Sequence, residues 1–509
     1  MCDRRIASHR AVSAAVFAVM LMLSPVSGAP ARGFTIGANF TGTDKVAELD
    51  ASFAETGGPG GTFSFPPDTM GAVGPNHVAE LINGAFAVYD KVGAIQTRST
   101  LKKFWDDAFT ASGGGLTSNN PFDPRLLYDK HSGKWYAVAV DSRDSFGSRV
   151  LVAVTTGDDP GPVNWRGFAI DADSAGTRWA DFPTIGLDAD GLYISNNMID
   201  VQGGPSLSTD VTIMGVPKAS LTAAVPSIGG FKKQELVGGS SSTGFSVQPA
   251  LDVDNSGLAL PALSAFNNNN LKRSAFPVGF FPGGTLDTSG PFIPTAGQGS
   301  LPNAPQPGTS AALETNDNRF SGNVVLQNGS LWAVQGVVNG GRNAIRWYEI
   351  DANTNAINQT GEITDPSLHL YYPSIAVNDF EDVVIGFSGS DSNTFVSSYA
   401  VVGDTEAGTT TFGPVTLLHA GSDEYEQKDG RDRNRWGDYS ATVVDPTNEL
   451  RFWTFQEFVA PDRAGQIFPL QDNNWAIRIT EIRLPEPASS ALLIFGGVMA
   501  LARRRKRAD

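Results

Sequence analysis

The sequence predicts an all-β protein, and three observations carry that prediction. The 509 residues include 56 Gly and 31 Pro, a content that favours many turns over long helices. Hydrophobic residues make up 41% of the chain, enough for a large core. The chain also repeats itself: RWADF begins at Arg178 and RWGDY at Arg435, each followed by a short apolar run, an Asp and a tight turn. Such a repeat indicates a recurring structural unit.

The repeat can be followed through seven units. Each begins with a short stretch of small and apolar residues that ends in a turn, and a second apolar or aromatic stretch follows. The first stretches begin at Asp68, Asp123, Asp181, Gln248, Ser321, Tyr372 and Asp438. Most units add a third strand-like stretch, and several a fourth. Seven copies at intervals of roughly 50 to 75 residues predict a seven-bladed β-propeller with four antiparallel strands per blade; a β-helix or two β-sandwiches are the alternatives.

The last unit supplies only three strands. We expect residues 33–42, GFTIGANFTG, to add its outer strand and close the ring, because an open array would leave an unpaired edge. Two segments fall outside the units. The stretch from Lys102 has room for one helical turn and a loop. The stretch from Phe281 to Arg319 predicts a long excursion between units four and five, interpreted as a tolerated insertion in preference to a lid.

The N-terminus has the features of a secretory signal peptide. Arg4, Arg5 and Arg10 precede the apolar residues 11–23, and small residues at 29–31 offer a cleavage site. The sequence therefore divides into a signal peptide (1–31), an N-terminal segment with the closing strand (32–66), the propeller (67–484) and a C-terminal segment (485–509). Cys2 is the only cysteine and leaves with the signal peptide, so we expect no disulfide or thiol chemistry in the exported protein.

The C-terminal segment has three parts in a fixed order. Pro485, Glu486 and Pro487 precede an apolar stretch, 488–502, and a basic cluster with Arg503, Arg504 and Arg505. This order resembles the PEP-CTERM sorting signal. The resemblance implies that an exosortase recognises Pro-Glu-Pro, that the apolar stretch enters the membrane before processing, and that the basic end stays cytoplasmic, as the positive-inside rule expects. It further implies a Gram-negative exopolysaccharide producer and an exported protein of the cell envelope, cell surface or extracellular matrix.

The body of the chain is similar to a broad group of secreted bacterial propeller proteins that share phrases such as DTMGAVGPNHVAELINGAFAVYDK and RWGDYSATVVDP. This resemblance implies an architecture more than an activity. The formal net charge of −16 makes a nucleic-acid partner improbable, because an acidic body repels phosphate backbones. Cations, glycans such as exopolysaccharide, and basic protein surfaces remain as ligands.

Aspartates recur where the first strands of the units begin. In a propeller those ends converge on one mouth of the central channel, so we predict a binding site there, with Arg125 on the same rim. Its predicted binding residues are Asp68, Asp123, Asp181, Gln248, Tyr372, Asp438 and Tyr439. A ring of carboxylates could hold Ca²⁺, or with Tyr and Arg a sugar. The structural alternative is that each Asp accepts backbone N–H groups, with Arg178 or Arg435 pairing with it.

These residues favour a surface or matrix protein that binds a glycan, cation or protein ligand, since no complete catalytic set is visible. No cofactor is predicted apart from the Ca²⁺ that the aspartates could hold. The alternative is a glycoside hydrolase, either sialidase-like or a carboxylate-pair enzyme, that uses Asp181, Asp438, Tyr372, Tyr439 and Arg125. The Ser-x-Asp-x-Gly-x-x-Trp box of sialidase-like propellers is absent from the turns after the first strands.

Overall fold

The computed structural model describes residues 33–56, 64–201, 210–461 and 474–486. The predicted signal peptide (1–31), Pro487, the apolar stretch 488–502 and Arg503, Arg504 and Arg505 lie outside the described residues. Pro485 and Glu486 follow the last strand without regular structure. None of the helices within the described ranges is long and apolar enough to cross a membrane.

The N-terminal segment is a strand followed by a helix: β1 (Thr35–Asp44) and α1 (Lys45–Thr56). The next strands form two separate four-stranded antiparallel sheets, which we call run 1 (71–100) and run 2 (122–171). Run 1 consists of β2 (Gly71–Val73), β3 (His77–Ile82), β4 (Ala85–Asp90) and β5 (Ile95–Thr100). After α2 (Leu101–Ala111), run 2 consists of β6 (Phe122–Asp129), β7 (Lys134–Asp141), β8 (Arg149–Thr155), a 3₁₀ helix (Pro162–Asn164) and β9 (Trp165–Asp171).

Runs 3, 4 and 5 are antiparallel groups that share one twelve-stranded sheet. Run 3 (178–236) consists of β10 (Arg178–Leu187), β11 (Gly191–Asp200), β12 (Asp210–Pro217), α3 (Lys218–Leu221) and β13 (Lys232–Leu236). After α4 (Ser240–Thr243), run 4 (248–294) consists of β14 (Gln248–Asp252), β15 (Leu260–Asn267), β16 (Asn270–Phe276), α5 (Phe280–Gly283) and β17 (Phe292–Pro294). Run 5 (324–363) consists of β18 (Val324–Gln327), β19 (Ser330–Asn339), β20 (Arg342–Asp351) and β21 (Ile357–Ile363).

The last two runs complete the described chain. Run 6 (369–419) consists of β22 (His369–Val377), β23 (Val383–Asp391), β24 (Thr394–Glu406), β25 (Thr409–Phe412) and β26 (Thr416–His419). Run 7 (441–483) consists of β27 (Ala441–Asp445), β28 (Asn448–Val459) and β29 (Trp475–Arg483). The predicted all-β class with four-stranded antiparallel sheets is confirmed.

The fourth strand of run 7 comes from the other end of the chain. Strand β1 pairs antiparallel with β29, with Thr35 opposite Arg483 and Phe40 opposite Ile479. The backbone N–H of Ala38 also donates to the Glu481 carboxylate at 3.0 Å, across 443 positions of sequence. This pairing occupies the edge of run 7 with residues from the predicted closing segment.

The first strands of successive runs contact one another. Strand β2 contacts β6, β6 contacts β10, and β14 and β18 continue the series to β22 and β27. Strands β10, β14 and β18 are parallel neighbours within the large sheet. Strand β27 in turn contacts β2, so the last run meets the first. No hydrogen-bonded sheet closes on itself within the described ranges.

Indole rings fill the spaces around these strands. Trp135, Trp332 and Trp453 each lie on the second strand of a run and are at most 1% exposed, so each buries a large apolar area. Helix α2 is longer than the single turn expected from the sequence. Thr100 caps it by accepting the Lys103 N–H at 3.1 Å, and Phe104 and Trp105 are buried from it.

The predicted excursion from Phe281 to Arg319 begins later than expected, because α5 and β17 still belong to run 4 and β17 pairs with β16. The remaining excursion, 295–319, is held in place by specific contacts and so differs from a merely tolerated insertion. Residues 295–319 pair with themselves through Ala304 and Leu313, both fully buried, and Leu313 also pairs with Asn434 ahead of run 7. The Gln306 side chain donates to the Tyr425 carbonyl at 2.6 Å and accepts its N–H at 2.9 Å. Composition could not reveal this, because the contacts that order the segment come from distant parts of the chain.

Candidate functional site

A large open cavity, about 1690 Å³, lies where the first strands of several runs begin. We call it the acidic cavity. Asp68 precedes β2, Asp123 is the second residue of β6, Asp181 lies in β10, and Asp438 precedes β27; all four line the cavity. The structure therefore brings together the four aspartates that the sequence placed at one mouth.

The backbone that presents these residues has a recurring left-handed conformation. Asp68, Asp123, Phe182 and Tyr372 have φ values of 48°, 50°, 49° and 51°. Pairing registers shift at the same places in runs 2, 3 and 6, as β-bulges do. A positive φ is uncommon and costly for residues other than Gly, so its recurrence shows that the surrounding contacts hold the beginning of each first strand in one defined shape.

Asn83, in the turn between β3 and β4, ties the first two aspartates together. Its amide nitrogen donates to Asp68 Oδ2 at 2.7 Å, and its amide oxygen accepts the Asp123 N–H at 2.8 Å. Asp123 Oδ2 in turn accepts the Phe182 N–H at 3.0 Å. The structural alternative for these aspartates is thus correct in part, because Asp123 joins the backbones of runs 2 and 3.

The Asp68 and Asp123 side chains also interact with each other. Burial, together with the neighbouring Asp438 carboxylate, raises the pKa of both groups, and the two carboxyls are within hydrogen-bonding contact. Two buried carboxyls in contact cannot both ionise readily, so the pair holds a shared proton more tightly than exposed aspartates do. The floor of the cavity therefore contains a carboxylic acid that can donate as well as accept hydrogen bonds.

Asp181 is the most available of the four carboxyls. Its side chain makes no hydrogen bond to any part of the chain that the structure describes, although it is only partly exposed. Burial and the nearby Asp123 raise its pKa to about 7, against the opposing charges of Arg319 and Arg143. This carboxyl is poised to exchange a proton near neutral pH.

Asp438 has a different environment from Asp181. Its Oδ1 accepts from the Arg435 guanidinium at 2.8 Å and from Asn316 at 3.2 Å, and Arg435 also pairs with Glu314 at 2.9 Å. The expected pairing of Arg and Asp within the repeat therefore occurs in the second copy. In the first copy Arg178 pairs instead with Asp173, at 2.6 Å, and with Asp210.

Next to the aspartates, the aromatic residues of both repeat copies pack against the guanidinium group of one arginine. The Arg125 guanidinium lies 3.6 Å from the ring centre of Tyr439 and 5.1 Å from that of Phe182, and its Nε donates to the Pro183 carbonyl at 2.7 Å. Arg125 is fully buried and Tyr439 is 1% exposed. The repeated Arg-Trp-small-Asp-aromatic motif thus places an Asp at the cavity and an aromatic ring against this buried cation.

Several predicted rim residues lie below the cavity. Tyr372 is 6% exposed and donates to the Glu314 carbonyl at 3.0 Å, while Gln248 is fully buried and donates to the Ile185 carbonyl at 2.9 Å. Neither residue lines the cavity, and neither do Arg125 and Tyr439. Burial raises the pKa of Tyr372 and Tyr439 well above the usual value, so both phenols are neutral and unsuited to act as nucleophiles.

Other residues line the cavity that the repeat does not mark. The excursion 295–319 supplies Glu314, Asn316, Asp317 and Arg319 to the cavity wall. Its polar run ETNDNR, beginning at Glu314, was the available signal. Nothing in the sequence could show that this run returns to the mouth, because the return depends on the Leu313 and Gln306 contacts.

Trp179 provides an aromatic wall. It lines the cavity, is only 4% exposed, and its indole N–H has no partner within the described chain. The Arg143 guanidinium lies 5.4 Å from the ring centre. An indole beside unpartnered carboxyl oxygens is a common arrangement for a ligand with an apolar face and polar edges.

The cavity extends outward between α1 and α2. Glu48 and Ser52 line it from α1, and Lys102 and Asp106 from α2. Glu48 is 5% exposed and accepts the Ser64 N–H at 3.2 Å; burial raises its pKa to about 8. The acidic cavity, which we also call the groove, therefore reaches from the beginnings of the first strands to the two helices.

The carboxylates are not arranged as a metal centre. Among the residues described, no group of three or more His, Cys, Asp or Glu side chains is placed to hold a metal ion. Asp68, Asp123 and Asp438 are held instead by Asn83, backbone N–H groups and Arg435. The Ca²⁺ hypothesis therefore gains no support from the geometry.

A second, smaller cavity of about 130 Å³ is lined by the first strands of all seven runs. One representative from each is Val73, Leu127, Leu187, Leu251, Val325, Val377 and Val443. The turn between β6 and β7 also borders it, with the Lys130 ammonium 3.3 Å from the Glu449 carboxylate and the His131 ring 2.9 Å from the Val253 carbonyl. One strand from every run thus surrounds a common space.

No family model matches the chain, and no curated protein matches it. Similar solved structures include a Trypanosoma rangeli sialidase in complex with 2,3-difluorosialic acid, 12% identical, with a TM-score of 0.34; the match covers 84% of this chain and 62% of the sialidase. TolB from Acinetobacter baumannii is 11% identical, with a TM-score of 0.33; the match covers 82% of this chain and 79% of TolB. An α-L-arabinofuranosidase from Podospora anserina is 10% identical, with a TM-score of 0.31; the match covers 73% of this chain and 93% of the arabinofuranosidase. At these identities and scores the matches assign no activity.

Proposed function

We propose that the seven runs are the blades of a β-propeller, closed by β1 as the outer strand of run 7. The main support is the second cavity, to which the first strand of every run contributes. The contact between β27 and β2 and the pairing of β1 with β29 agree with a ring. A closed ring also accounts for the convergence of residues as distant in sequence as Asp68 and Asp438.

We propose that the protein binds glycan chains in the acidic cavity. The observation that carries this proposal is the meeting of Asp68, Asp123, Asp181 and Asp438, from four runs, in one groove with Trp179. Carboxyl groups accept hydrogen bonds from sugar hydroxyls, and an indole ring packs against the apolar face of a sugar. A rigid set of strands holds these groups in place, as specific recognition requires.

A glycan array followed by titration calorimetry tests this function. Asp181→Asn should weaken binding of the selected glycan about 10-fold or more, because a hydrogen bond to a charged group contributes roughly 1.5–3 kcal/mol. Asp181 has no hydrogen-bond partner within the described chain, so the variant should fold normally. Glu406→Gln, on an exposed strand end outside the cavity, is the matched control. Unchanged binding by Asp181→Asn would place the ligand elsewhere.

Glycan hydrolysis is a second candidate function, favoured by the unequal environments of Asp181 and Asp438. Asp181, with its pKa near 7, could act as general acid, while Asp438 is paired with Arg435 and could act as base. The readout is release of reducing sugar from the glycan that binds. Hydrolysis requires release that falls about 10²–10⁴-fold in both Asp181→Asn and Asp438→Asn. Binding without release supports the first function alone.

We infer from the sequence an export route that ends at the cell surface or matrix. The support is the order of Pro485, Glu486 and Pro487, the apolar stretch 488–502 and the terminal arginines. An exosortase is the proposed partner at this signal. Fractionation of cells that express the full chain should find it outside the cytoplasm, and replacement of Pro485–Glu486–Pro487 by Ala should leave it in the inner membrane. The same distribution for both proteins would contradict this route.

A further inference from the structure

The acidic cavity has more carboxyl groups than its own basic residues neutralise. Among the described residues, 13 Asp or Glu and seven Lys or Arg line it. Six of the basic side chains already form ion pairs with acidic residues that also line the cavity. Six carboxyls have no ion-pair partner among the described residues: Glu48, Glu55, Asp68, Asp123, Asp181 and Asp200. They come from α1, from β11 and from the beginnings of three first strands.

Some polar atoms of this wall are buried without partners. Glu48 Oε2 and Ser52 Oγ, on successive turns of α1, make no hydrogen bond in the described part of the chain, although each residue is only 5% exposed. The indole N–H of Trp179 is likewise buried and has no hydrogen-bond partner among the described residues. Leaving such atoms unsatisfied costs free energy, so a ligand that supplies donors and acceptors along the groove would relieve that cost.

The size of the groove indicates a chain rather than a small molecule. At about 1690 Å³ it exceeds the 300–1,000 Å³ typical of small-molecule pockets. It extends from the four aspartates outward between α1 and α2, and several Asn and Ser side chains line it with the charged groups. This large volume with its polar lining suits a ligand with hydroxyl groups along its length and positive charge at intervals.

We propose, on the basis of the glycan-binding function above, that the ligand is an amine-bearing sugar polymer whose ammonium groups pair with the carboxyls that the protein leaves unpaired. Glu48 and Asp181 mark two separated points of contact, one on α1 and one on β10. Trp179 contacts the sugar ring next to Asp181. N-acetylation of the sugar removes the positive charge and leaves these carboxyls unpaired, so the acetylated polymer binds more weakly.

Binding of such a ligand is linked to proton release. Asp181 faces Asp123, Asp438, Arg319 and Arg143, and Glu48 faces Lys45 and Ser64. An ammonium group beside either carboxyl favours the ionised form and lowers its raised pKa. The protein therefore releases protons to the buffer as the ligand binds, whereas a neutral sugar causes no such release.

Titration calorimetry with two matched probes tests the proposal. The probes are the β-1,4-linked hexamer of glucosamine and its fully N-acetylated counterpart, at about pH 6, where the carboxyls with raised pKa still hold protons. We expect at least about 10-fold tighter binding of the glucosamine hexamer, with proton release detected from two buffers of different ionisation enthalpy. Asp181→Asn and Glu48→Gln should each reduce the ratio of the affinity for the glucosamine hexamer to the affinity for its N-acetylated counterpart. Asp50→Asn, exposed on the same helix as Glu48, should not.

The outcomes separate this inference from the function on which it rests. Equal affinity for the two hexamers would overturn the amine preference and leave glycan binding intact. Failure of both hexamers and of every glycan on the array would overturn both. A lysine hexapeptide that binds as tightly as the glucosamine hexamer would show that the groove selects charge without a sugar, which also overturns the inference.

Discussion

A fully buried arginine lies next to the aspartates of the acidic cavity. Arg125 lies beneath the aspartates, fully enclosed, with Tyr439 and Phe182 on its guanidinium faces. It offsets part of the negative charge of Asp68, Asp123 and Asp438 but cannot balance all of it. Burial, followed by the repulsion between neighbouring carboxylates, raises the pKa of Asp68, Asp123 and Asp181, so these groups hold protons more readily than exposed aspartates do.

We predict that the protein loses stability as pH rises through the neutral range, and that Glu48→Gln reduces the loss. The folded protein holds the Glu48 proton up to a pKa of about 8, whereas the unfolded chain releases it near 4.5. Because the folded state binds more protons between these values, the free energy of unfolding falls as pH rises from about 4.5 to 8. The drop in Tm over this range should be ~2–4 °C smaller in the variant.

Thermal melts of the wild type, Glu48→Gln and Asp50→Asn at several pH values provide the measurement. Asp50 lies on the exposed face of α1, so its variant should follow the wild-type curve. A Glu48→Gln curve that also follows the wild type would show that this carboxyl does not retain its proton on folding.

The meeting of the aspartates could be predicted from the sequence, because each stands near the beginning of a recurring strand, although the bulges align Asp123 with Phe182 and not with Asp181. The partners that decide their chemistry could not. Asn83 lies in a hairpin turn, and nothing in its local pattern marks it as the link between Asp68 and Asp123. Gln248 begins the first strand of run 4 but pairs with Leu263 inside the strand layer, and its side chain donates to the Ile185 carbonyl away from the cavity.

At the scale of elements, the excursion 295–319 does most to shape the site. Its backbone pairs with itself and with the segment before run 7, and it delivers Glu314 beside Arg435 and Arg433. Short apolar runs that end in turn residues predicted the first strands well. The excursion has no period, and long-range contacts alone determine its course.

We predict that Leu313→Ala loosens the excursion with little effect on the sheets. Leu313 is fully buried, and truncation of a buried Leu costs about 2–5 kcal/mol, here confined to the segment that it anchors. Limited proteolysis should show new cleavage between residues 295 and 319, and binding in the acidic cavity should weaken. Leu116→Ala, at an exposed site, is the control. Cleavage at unchanged rates in both variants would mean that Leu313 does not hold the segment.

At the scale of the whole molecule, the pairing of β1 with β29 joins the two ends of the described chain. Thr35 and Arg451 lie on opposite sides of Arg483, each as its direct neighbour on an adjacent strand. The short distance between Thr35 and Arg483 is expected only if β1 pairs with β29 and closes the ring. An open array with β1 at another position would not bring these two residues together.

We predict that Thr35→Cys with Arg483→Cys forms an intramolecular disulfide and raises Tm. A cross-link across so long a loop can stabilise by up to about 5 kcal/mol. Thr35→Cys with Arg451→Cys should not cross-link, because two strand spacings of about 4.8 Å exceed disulfide reach. Non-reducing electrophoresis and thermal melts provide the readouts. Only intermolecular dimers from the first pair would contradict the closure.

The position of β1 also sets the order in which the protein can finish folding. This strand is made first by the ribosome, yet its partner β29 is among the last strands to be synthesised. The intermediate runs can form their local hairpins as they emerge from the ribosome. Residues 35–44 cannot pair with β29 until almost the entire polypeptide has been synthesised. The four-stranded sheet of run 7 is therefore completed only at the end of synthesis, so the folded state cannot form fully while the chain is still being made.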